Sequence, residues 1–460
     1  MADPTQQPLR RELTVIGATA IVVANMIGTG IFTTTGFLAG DLGKPSLVVG
    51  IWVAGAIVAL AGALSYAELG TNYPRSGGEY VYLREIWGPG WAFLSGWVSF
   101  FAGFAAPIAA AALAFSEYTA YFFPSLSIRL TPDDSFGGLL HLEAGRWVAI
   151  LVVATFAVVN IFGLRLAARL QNLLTGLKLV VLGAFLLAAF TLGDGQVSHF
   201  AMNAARTSHH SLPVQFAVSL IFVMFAYSGW NAATYVAEEM KHPQRDLPRA
   251  LVSGTLLVGL LYVALNVAFI YAVPLDSMKG VVRVGAQAAS SLFGSRGGGF
   301  FAAVMSVGLL SCVSAMVIVG PRVYYAMAQD GCFFKDVARV HSRWGSPVWA
   351  IVYQTGASIV MILTGTFESL IYYIGFALIL FAGLATLGVF RMRRRAGWKR
   401  LPSVSWCYPL VPGLFVAACA WMLLHTLVVQ PRESLLGIAT ILCGALVYWA
   451  RFRKSRNTTA

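Results

Sequence analysis

Long runs of apolar residues, separated by short polar connections, make up most of the chain. Each run is long enough to cross ~30 Å of hydrocarbon as a helix that rises about 1.5 Å per residue. We therefore predict an all-α polytopic membrane protein with twelve transmembrane helices. Their approximate ranges are 12–38, 46–70, 88–123, 146–163, 168–191, 212–240, 250–273, 298–328, 347–364, 367–390, 405–428 and 433–452.

Two of these runs are interrupted by small, flexible residues. The first break (Ile27 to Ile31) lies in helix 1, and the second break (Phe225 to Asn231) lies in helix 6. Glycine weakens a helix, and a freed backbone group inside hydrocarbon is tolerable only where it faces protein or a watery cavity. Paired breaks of this kind indicate the binding site of a secondary transporter.

The spacing of the breaks predicts the architecture. One broken helix follows the other after five spans, and an odd number of spans per repeat inverts the second repeat in the membrane. We predict a 5+5 inverted repeat within a single transmembrane domain, residues 1–460. The first repeat covers roughly 12–191, the second roughly 212–390, and helices 11 and 12 cover roughly 405–452.

The breaks also suggest a ligand. The half-helix after the first break would begin with free N–H groups, which suit a carboxylate, while carbonyls freed at the second break suit an ammonium group. An α-amino acid carries both charges. Close helix packing is the alternative explanation of the glycines. The predicted substrate-binding residues are Ile27, Gly28, Thr29, Gly30, Ile31, Phe225, Ala226, Tyr227, Ser228, Gly229, Trp230 and Asn231.

Lys178 is a cation deep inside helix 5, where ionisable residues are costly and usually functional. We expect its ammonium to do the work of a bound Na⁺ by holding helices 1, 5 and 8 together, with a proton-exchanging role left open. Ser311 and Ser314 of helix 8 are its candidate partners, although serines also bond to their own helix backbone. A lysine that snorkels to the interface is the alternative. Glu68 of helix 2 is expected to have a structural, hydrogen-bonded role, with a proton relay as the alternative.

Composition and charge fit this picture and exclude others. The chain has 460 residues, of which 58% are hydrophobic and 11% charged, with a net charge of +13. With the N-terminus inside, 23 Lys and Arg residues fall in inside segments and 8 in outside segments. This asymmetry places both termini in the cytoplasm and explains the positive charge without a nucleic-acid partner. Enzyme and phosphate-binding motifs are missing, so we predict no enzymatic activity, no cofactor and no metal.

Several stretches resemble the amino acid–polyamine–organocation superfamily. They are Gly28 to Phe32, Tyr73 to Tyr80, Phe225 to Asn231, Glu238 to Arg245 and Arg322 to Gly331. The helix 6 stretch and Lys178 look most like the L-type amino acid transporters and their bacterial relatives. The resemblance implies a LeuT-like fold, sodium-independent movement of amino acids, often by exchange, and the cation-replacing role of Lys178.

The same resemblance bears on partners. Eukaryotic L-type members are disulfide-linked to a heavy subunit through a cysteine in the loop after helix 3. The corresponding loop here, Pro124 to Arg146, contains no cysteine. We therefore expect no disulfide-linked heavy subunit. The five cysteines of the chain show no paired spacing and are expected to be small buried side chains.

The sequence thus predicts a carrier of L-amino acids in the plasma (inner) membrane, whose partners are its substrate and the lipid bilayer. It would work by alternating access and would prefer neutral amino acids, because no charged side chain lies in either break. A proton-coupled symporter of amino acids or polyamines is the nearest alternative. A non-transporting amino acid sensor on the same fold is a third possibility.

Overall fold

The computed structural model describes residues 13–75, 77–127, 143–162, 164–329, 333–341, 346–402 and 407–452. Regular secondary structure in these ranges is helical, and an isolated β-bridge joins Leu13 to Met240. Ser76, Gly331, Cys332 and the central part of the loop after helix 3, residues 128–142, lie outside the described residues.

In its described residues, the first half of the chain forms nine α-helices. They are α1 Val15–Met26, α2 Gly30–Thr33, α3 Thr35–Leu42, α4 Pro45–Asn72, α5 Glu79–Trp87, α6 Pro89–Val98, α7 Ala106–Thr119, α8 Ala144–Phe162 and α9 Leu164–Thr191. A π-helical segment, Ser99–Ala105, connects α6 to α7. Prolines occupy the first turns of α4, α6 and α7, where a missing N–H costs nothing.

The described part of the second half forms eight more. They are α10 Leu212–Ala226, α11 Pro243–Ala272, α12 Leu275–Met278, α13 Val284–Gln329, α14 Val348–Thr364, α15 Phe367–Met392, α16 Leu410–Val429 and α17 Pro431–Val447. The long α13 bends at Gly294, whose φ of 74° falls in the left-handed region that glycine enters without strain. A 3₁₀ segment, Ala232–Glu239, follows the second break.

The hydropathy of these helices agrees with a polytopic membrane protein. Among the described residues, nine helical stretches are long and apolar enough to cross a membrane: Val15–Thr33, Pro45–Asn72, Pro89–Thr119, Ala144–Phe162, Pro243–Ala272, Val284–Tyr325, Phe367–Met392, Leu410–Val429 and Pro431–Ala450. Three shorter apolar helices are Gly176–Thr191, Leu212–Ala226 and Val348–Thr364. Many large apolar side chains are exposed on the outer faces, as expected for a protein that lipid surrounds.

The helices that contain the breaks lie at the centre of the packing. α1 and α4 both pack against α11, and α10 packs against α4, α15 and α16. The apolar residues of the breaks and the surrounding apolar side chains of α4 and α11 belong to one continuous cluster of buried residues. This arrangement surrounds both breaks with protein, the condition under which irregular backbone is tolerated at membrane depth.

The prediction that the cysteines are small buried side chains is correct only in part. Cys312 and Cys419 are buried, but Cys407 is partly exposed and Cys443 is exposed. Cys443 lies on α17, whose outer face also exposes Leu442 and Leu446. An apolar thiol is compatible with lipid as well as with a protein core, which is why hydrophobicity alone did not distinguish the two.

Candidate functional site

The first break is a sharp interruption of hydrogen bonding. The N–H of Ile27 still donates to Val23 O at 3.0 Å, but the N–H of Gly28 turns back to Met26 O at 2.7 Å. Ile27 has ψ of 77°, outside the helical range. Helical geometry resumes at α2, where the N–H of Phe32 donates to Thr29 O at 3.1 Å. The helix therefore stops and restarts where the sequence predicted an interruption.

The second break is longer and ends differently. α10 closes with the N–H of Tyr227 donating to Val223 O at 2.9 Å and that of Ser228 donating to Phe225 O at 3.0 Å. Gly229 then takes φ of 97°, which only glycine adopts readily. The chain continues as the 3₁₀ segment Ala232–Glu239 rather than as an α-helix. The single span predicted for residues 212–240 is therefore α-helical only as far as Ala226.

The two breaks lie against each other. A methyl group added at Gly30 would overlap the backbone of Ala226, and one added at Gly229 would stand 2.8 Å from the carbonyl carbon of Asn25. Each break thus contains a glycine that lets the backbone of the other broken helix come into direct contact. The predicted site residues are brought together from two segments that lie about 200 residues apart in the sequence.

Tyr262 of α11 links the breaks and was missed by the sequence interpretation. Its hydroxyl donates to Met26 O at 2.6 Å and lies 3.2 Å from Ala226 O, the carbonyls that end α1 and α10. The side chain is fully buried. One tyrosine in an apolar helix carries no distinguishing sequence signal, because 13% of the chain is aromatic.

The break residues differ in accessibility. Thr29, Ile27 and Tyr227 are buried, as are most of their neighbours in the two breaks. The partly exposed members are Gly28, Ser228, Gly229 and Asn231. The reachable part of the site is thus formed by backbone, one hydroxyl and one amide. Such groups bind by hydrogen bonds and oriented dipoles rather than by full charges.

Lys178 lies beside the first break. Its side chain is buried, and its ammonium donates to Ile27 O at 3.1 Å and to the Cys312 thiol at 3.7 Å. The stem passes Gly308 so closely that a methyl group there would stand 3.0 Å from Lys178 Cδ. Lys178 of α9 therefore contacts the broken helix on one side and α13 on the other.

The serines proposed as partners of Lys178 flank its thiol partner Cys312, but among the described residues neither bonds to the ammonium. Ser311 and Ser314 are both buried in α13. Within the described part of the chain the Ser311 hydroxyl has no hydrogen-bond partner, and the α13 group that contacts the ammonium is the thiol of Cys312. Their coupling role stays a prediction.

Comparison with known proteins adds an independent line of information. Residues 13–449 match the family model described as amino acid permease. The chain is 30% identical over 456 residues to the serine/threonine exchanger SteT of Bacillus subtilis, an alignment that covers 98% of both chains.

Two animal proteins are similar at almost the same level. The large neutral amino acids transporter small subunit 2 of Oryctolagus cuniculus is 29% identical over 450 residues, which cover 96% of this chain and 80% of the relative. The cystine/glutamate transporter of Homo sapiens is 28% identical over 454 residues, with 96% and 85% covered. The matched regions include both breaks and Lys178.

Proposed function

The chain belongs to the amino acid permease family, and on that premise we propose that it is a sodium-independent exchanger of L-amino acids. The observation that supports this most directly is the meeting of the two breaks. They bring backbone ends of α2 and α10 into one partly accessible site. The names of its relatives describe exchange or transport of amino acids.

The site suits a zwitterion. In our proposal, the substrate carboxylate binds at the N–H groups of Gly28 to Ile31, where the dipole of the resumed helix is positive. Its ammonium binds near the carbonyls around Phe225 to Tyr227. The break side chains carry no charge, so we propose that neutral amino acids are preferred. Trp230 and Asn231 would then contact the substrate side chain.

The position of Lys178 supports our proposal that transport does not depend on sodium. Its ammonium occupies the space between Ile27 O and α13 that a cation would otherwise need to fill. A permanently attached charge can hold the two helices without an ion taken up from solution. We propose that Lys178 performs this role throughout the transport cycle.

The proposed architecture has twelve spans in a 5+5 inverted repeat. The nine long helices and the three shorter apolar ones would together supply the spans, with helices 1 and 6 broken at the site. We propose that both termini face the cytoplasm of a plasma membrane, because the inside loops are rich in Lys and Arg.

Reconstitution into liposomes tests the function. Labelled serine, threonine and larger neutral amino acids are offered to vesicles that are empty or preloaded with unlabelled amino acid, with and without sodium. Sodium-insensitive uptake only into preloaded vesicles is the expected result. Uptake into empty vesicles driven by a pH gradient would instead establish proton symport, and no flux of any amino acid would refute the carrier.

Gly28→Ala tests the site itself. A methyl group at this position meets only Met26 O, at 3.9 Å, so the fold has room for it. We expect unchanged thermal stability but a higher KM, because the methyl group would enter the space proposed for the substrate. Gly50→Ala, at a helical glycine with nothing within 4 Å, is the matched control. Unchanged KM in Gly28→Ala would remove the first break from the substrate site.

A further inference from the structure

A short helix between the second and third long helices approaches the second break. This helix, α5, begins at Glu79 directly after Gly77 and Gly78, whose φ values are 117° and 50°. A methyl group added at Gly78 would stand 2.6 Å from the hydroxyl oxygen of Thr234, in the 3₁₀ segment after the break. The backbone at the start of α5 therefore lies directly against side chains of the segment that follows the second break.

Glu79 is held there by hydroxyl groups. The hydroxyl of Tyr66 on α4 donates to Glu79 Oε2 at 2.7 Å, and that of Ser95 on α6 donates to Oε1 at 3.3 Å. Among the described residues, no ion pair involves this carboxyl. Its ionisable neighbours are two tyrosines, Tyr66 from α4 and Tyr235 from the 3₁₀ segment, and Tyr82 of α5 packs against the Tyr66 ring.

Tyr66 connects this carboxyl to the candidate site. Its ring packs edge-on against Trp230 of the second break, with ring centroids 4.8 Å apart and planes at 76°. Trp230 packs in turn against Phe415 of α16, with centroids 5.7 Å apart. Glu79, Tyr66 and Trp230 thus form a continuous line of contacts from α5 to the residues proposed to bind substrate.

The Glu79 carboxyl changes its protonation state in the physiological range. Burial raises its pKa to about 7, and the hydrogen bonds from Tyr66 and Ser95 oppose this shift without cancelling it. The ionised carboxylate accepts both hydroxyl groups in charge-assisted bonds, which are roughly twice as strong as neutral ones. The neutral acid holds Tyr66 less firmly.

We propose that Glu79 is a proton-responsive positioning residue, which regulates exchange by tightening or loosening Tyr66 beside Trp230. This inference rests on the proposed exchange function, but it concerns a group outside the two breaks. In the ionised state, the hydrogen bonds of Glu79 hold α4, α5 and α6 together around Tyr66, which keeps Trp230 in place. In the protonated state these hydrogen bonds weaken, and the second break rearranges more readily.

The pH dependence of exchange tests this regulation. Counterflow of neutral amino acid is measured in preloaded liposomes with the same pH on both sides, between about pH 6 and pH 8. Because a charge-assisted bond is replaced by a neutral one, we expect the wild-type rate to rise about three- to tenfold as the pH falls. Glu79→Gln should lose this step and should show at pH 8 the rate that the wild type shows at pH 6. Glu85→Gln, the same change later in α5, should keep the wild-type step.

Tyr66→Phe gives a second, directional test. Its hydroxyl is the group through which the Glu79 carboxyl holds Tyr66, so its removal should abolish the pH step in the exchange rate. Ser95→Ala keeps this contact but removes a hydrogen bond that lowers the pKa of Glu79, so it should keep the step and move its midpoint upward. A merely structural role for these residues would lower the rate at every pH without abolishing the step or moving its midpoint. If Glu79→Gln does not fold, as judged by gel filtration and thermal stability, Tyr66→Phe tests the proposal alone.

Infrared difference spectroscopy separates failure of this inference from failure of the proposed function. Protonation of Glu79 should appear in the purified protein as a carboxylic-acid C=O band that grows below about pH 7 and is missing in Glu79→Gln. This band requires no transport. A wild-type pH step retained in Glu79→Gln or in Tyr66→Phe would overturn the proposal even where exchange itself is confirmed.

Discussion

Two buried cations in this protein have opposite surroundings. The Arg393 guanidinium forms a two-pronged ion pair with Glu68, at 2.7 Å from Nε to Oε1 and 2.5 Å from Nη2 to Oε2. The Lys178 ammonium contacts one backbone carbonyl and one thiol, and no ion pair in the described part of the chain includes it. Both side chains are less than 10% exposed.

The difference indicates different roles. Arg393 and Glu68 neutralise each other, and the carboxylate also accepts the indole N–H of Trp398 at 2.9 Å. Such a pair holds the same geometry in any conformation that keeps α4 and α15 together. Lys178 has only partial charges to compensate it. Its carbonyl partner, Ile27, is the residue at which helical geometry stops after α1. A buried charge with weak compensation is costly, so its retention points to function rather than to stability.

Removing the uncompensated cation should have the largest effect on transport. We expect Lys178→Met to reduce exchange by about 10- to 100-fold, because a hydrogen bond from a charged donor to Ile27 O is lost at the moving break. Counterflow in preloaded liposomes measures this. Methionine keeps the stem beside Gly308, so the change isolates the charge. Near-normal exchange in Lys178→Met would make Lys178 a packing residue and would end the contrast with Arg393.

A surface lysine provides the control for that experiment. Lys279 pairs with Asp276 at 2.5 Å three residues away, and the Asp276 side chain is largely exposed. Exposed pairs contribute about 0–1 kcal/mol. Lys279→Met should therefore leave exchange within about twofold of the wild-type rate, as expected for such a pair.

Breaking the ion pair between Glu68 and Arg393 should have the largest effect on stability. Glu68→Ala removes the carboxylate that pairs with the buried guanidinium of Arg393, and breaking a buried pair costs about 3–5 kcal/mol. We expect a clear drop in the apparent Tm in detergent, while the exchange rate per folded molecule changes little. A large loss of exchange at unchanged Tm would give Glu68 a transport role instead, the proton relay that the sequence left as its less favoured interpretation.

The sequence distinguished these two regions only in part. Lys178 was identified because one charge inside a long apolar run is visible without any structure. The partner of Glu68 was not identified. Arg393 lies 325 residues away in a basic segment, and membrane topology alone was enough to explain the positive charge of that segment. Glycine clusters located both breaks. They did not reveal the 3₁₀ continuation after Asn231, which depends on packing against α4 and α11.

Side-chain contacts across helices were the least predictable feature. The sequence offers two hydroxyl groups and one thiol within the four residues from Ser311 to Ser314, and the serines were named as the candidate partners of Lys178. The structure turns Cys312 toward the ammonium. The sequence interpretation included Glu79 in the stretch Tyr73 to Tyr80 but did not identify it as a functional residue, because only the folded chain brings Tyr66 and Ser95 to it.

Replacing both members of the ion pair should restore stability. The double variant Glu68→Gln/Arg393→Met carries no buried charge at this position, and exchanging a buried pair for uncharged groups is often neutral. We expect it to regain more than about half of the stability lost in Glu68→Ala. The comparison of apparent Tm values measures this. A double variant as unstable as Glu68→Ala would show that the pair also orders Trp398 and the chain after α15.

The thiol beside Lys178 should have the smallest effect. Sulfur is a weak acceptor, and the 3.7 Å contact is longer than the 3.1 Å bond to Ile27 O. We expect Cys312→Ala to change exchange by less than about threefold, because the ammonium keeps its carbonyl partner. Cys312→Ser, which offers a stronger acceptor, should hold the ammonium toward α13 and slow exchange slightly more. If Cys312→Ala were as damaging as Lys178→Met, α13 rather than the first break would be the main anchor of Lys178.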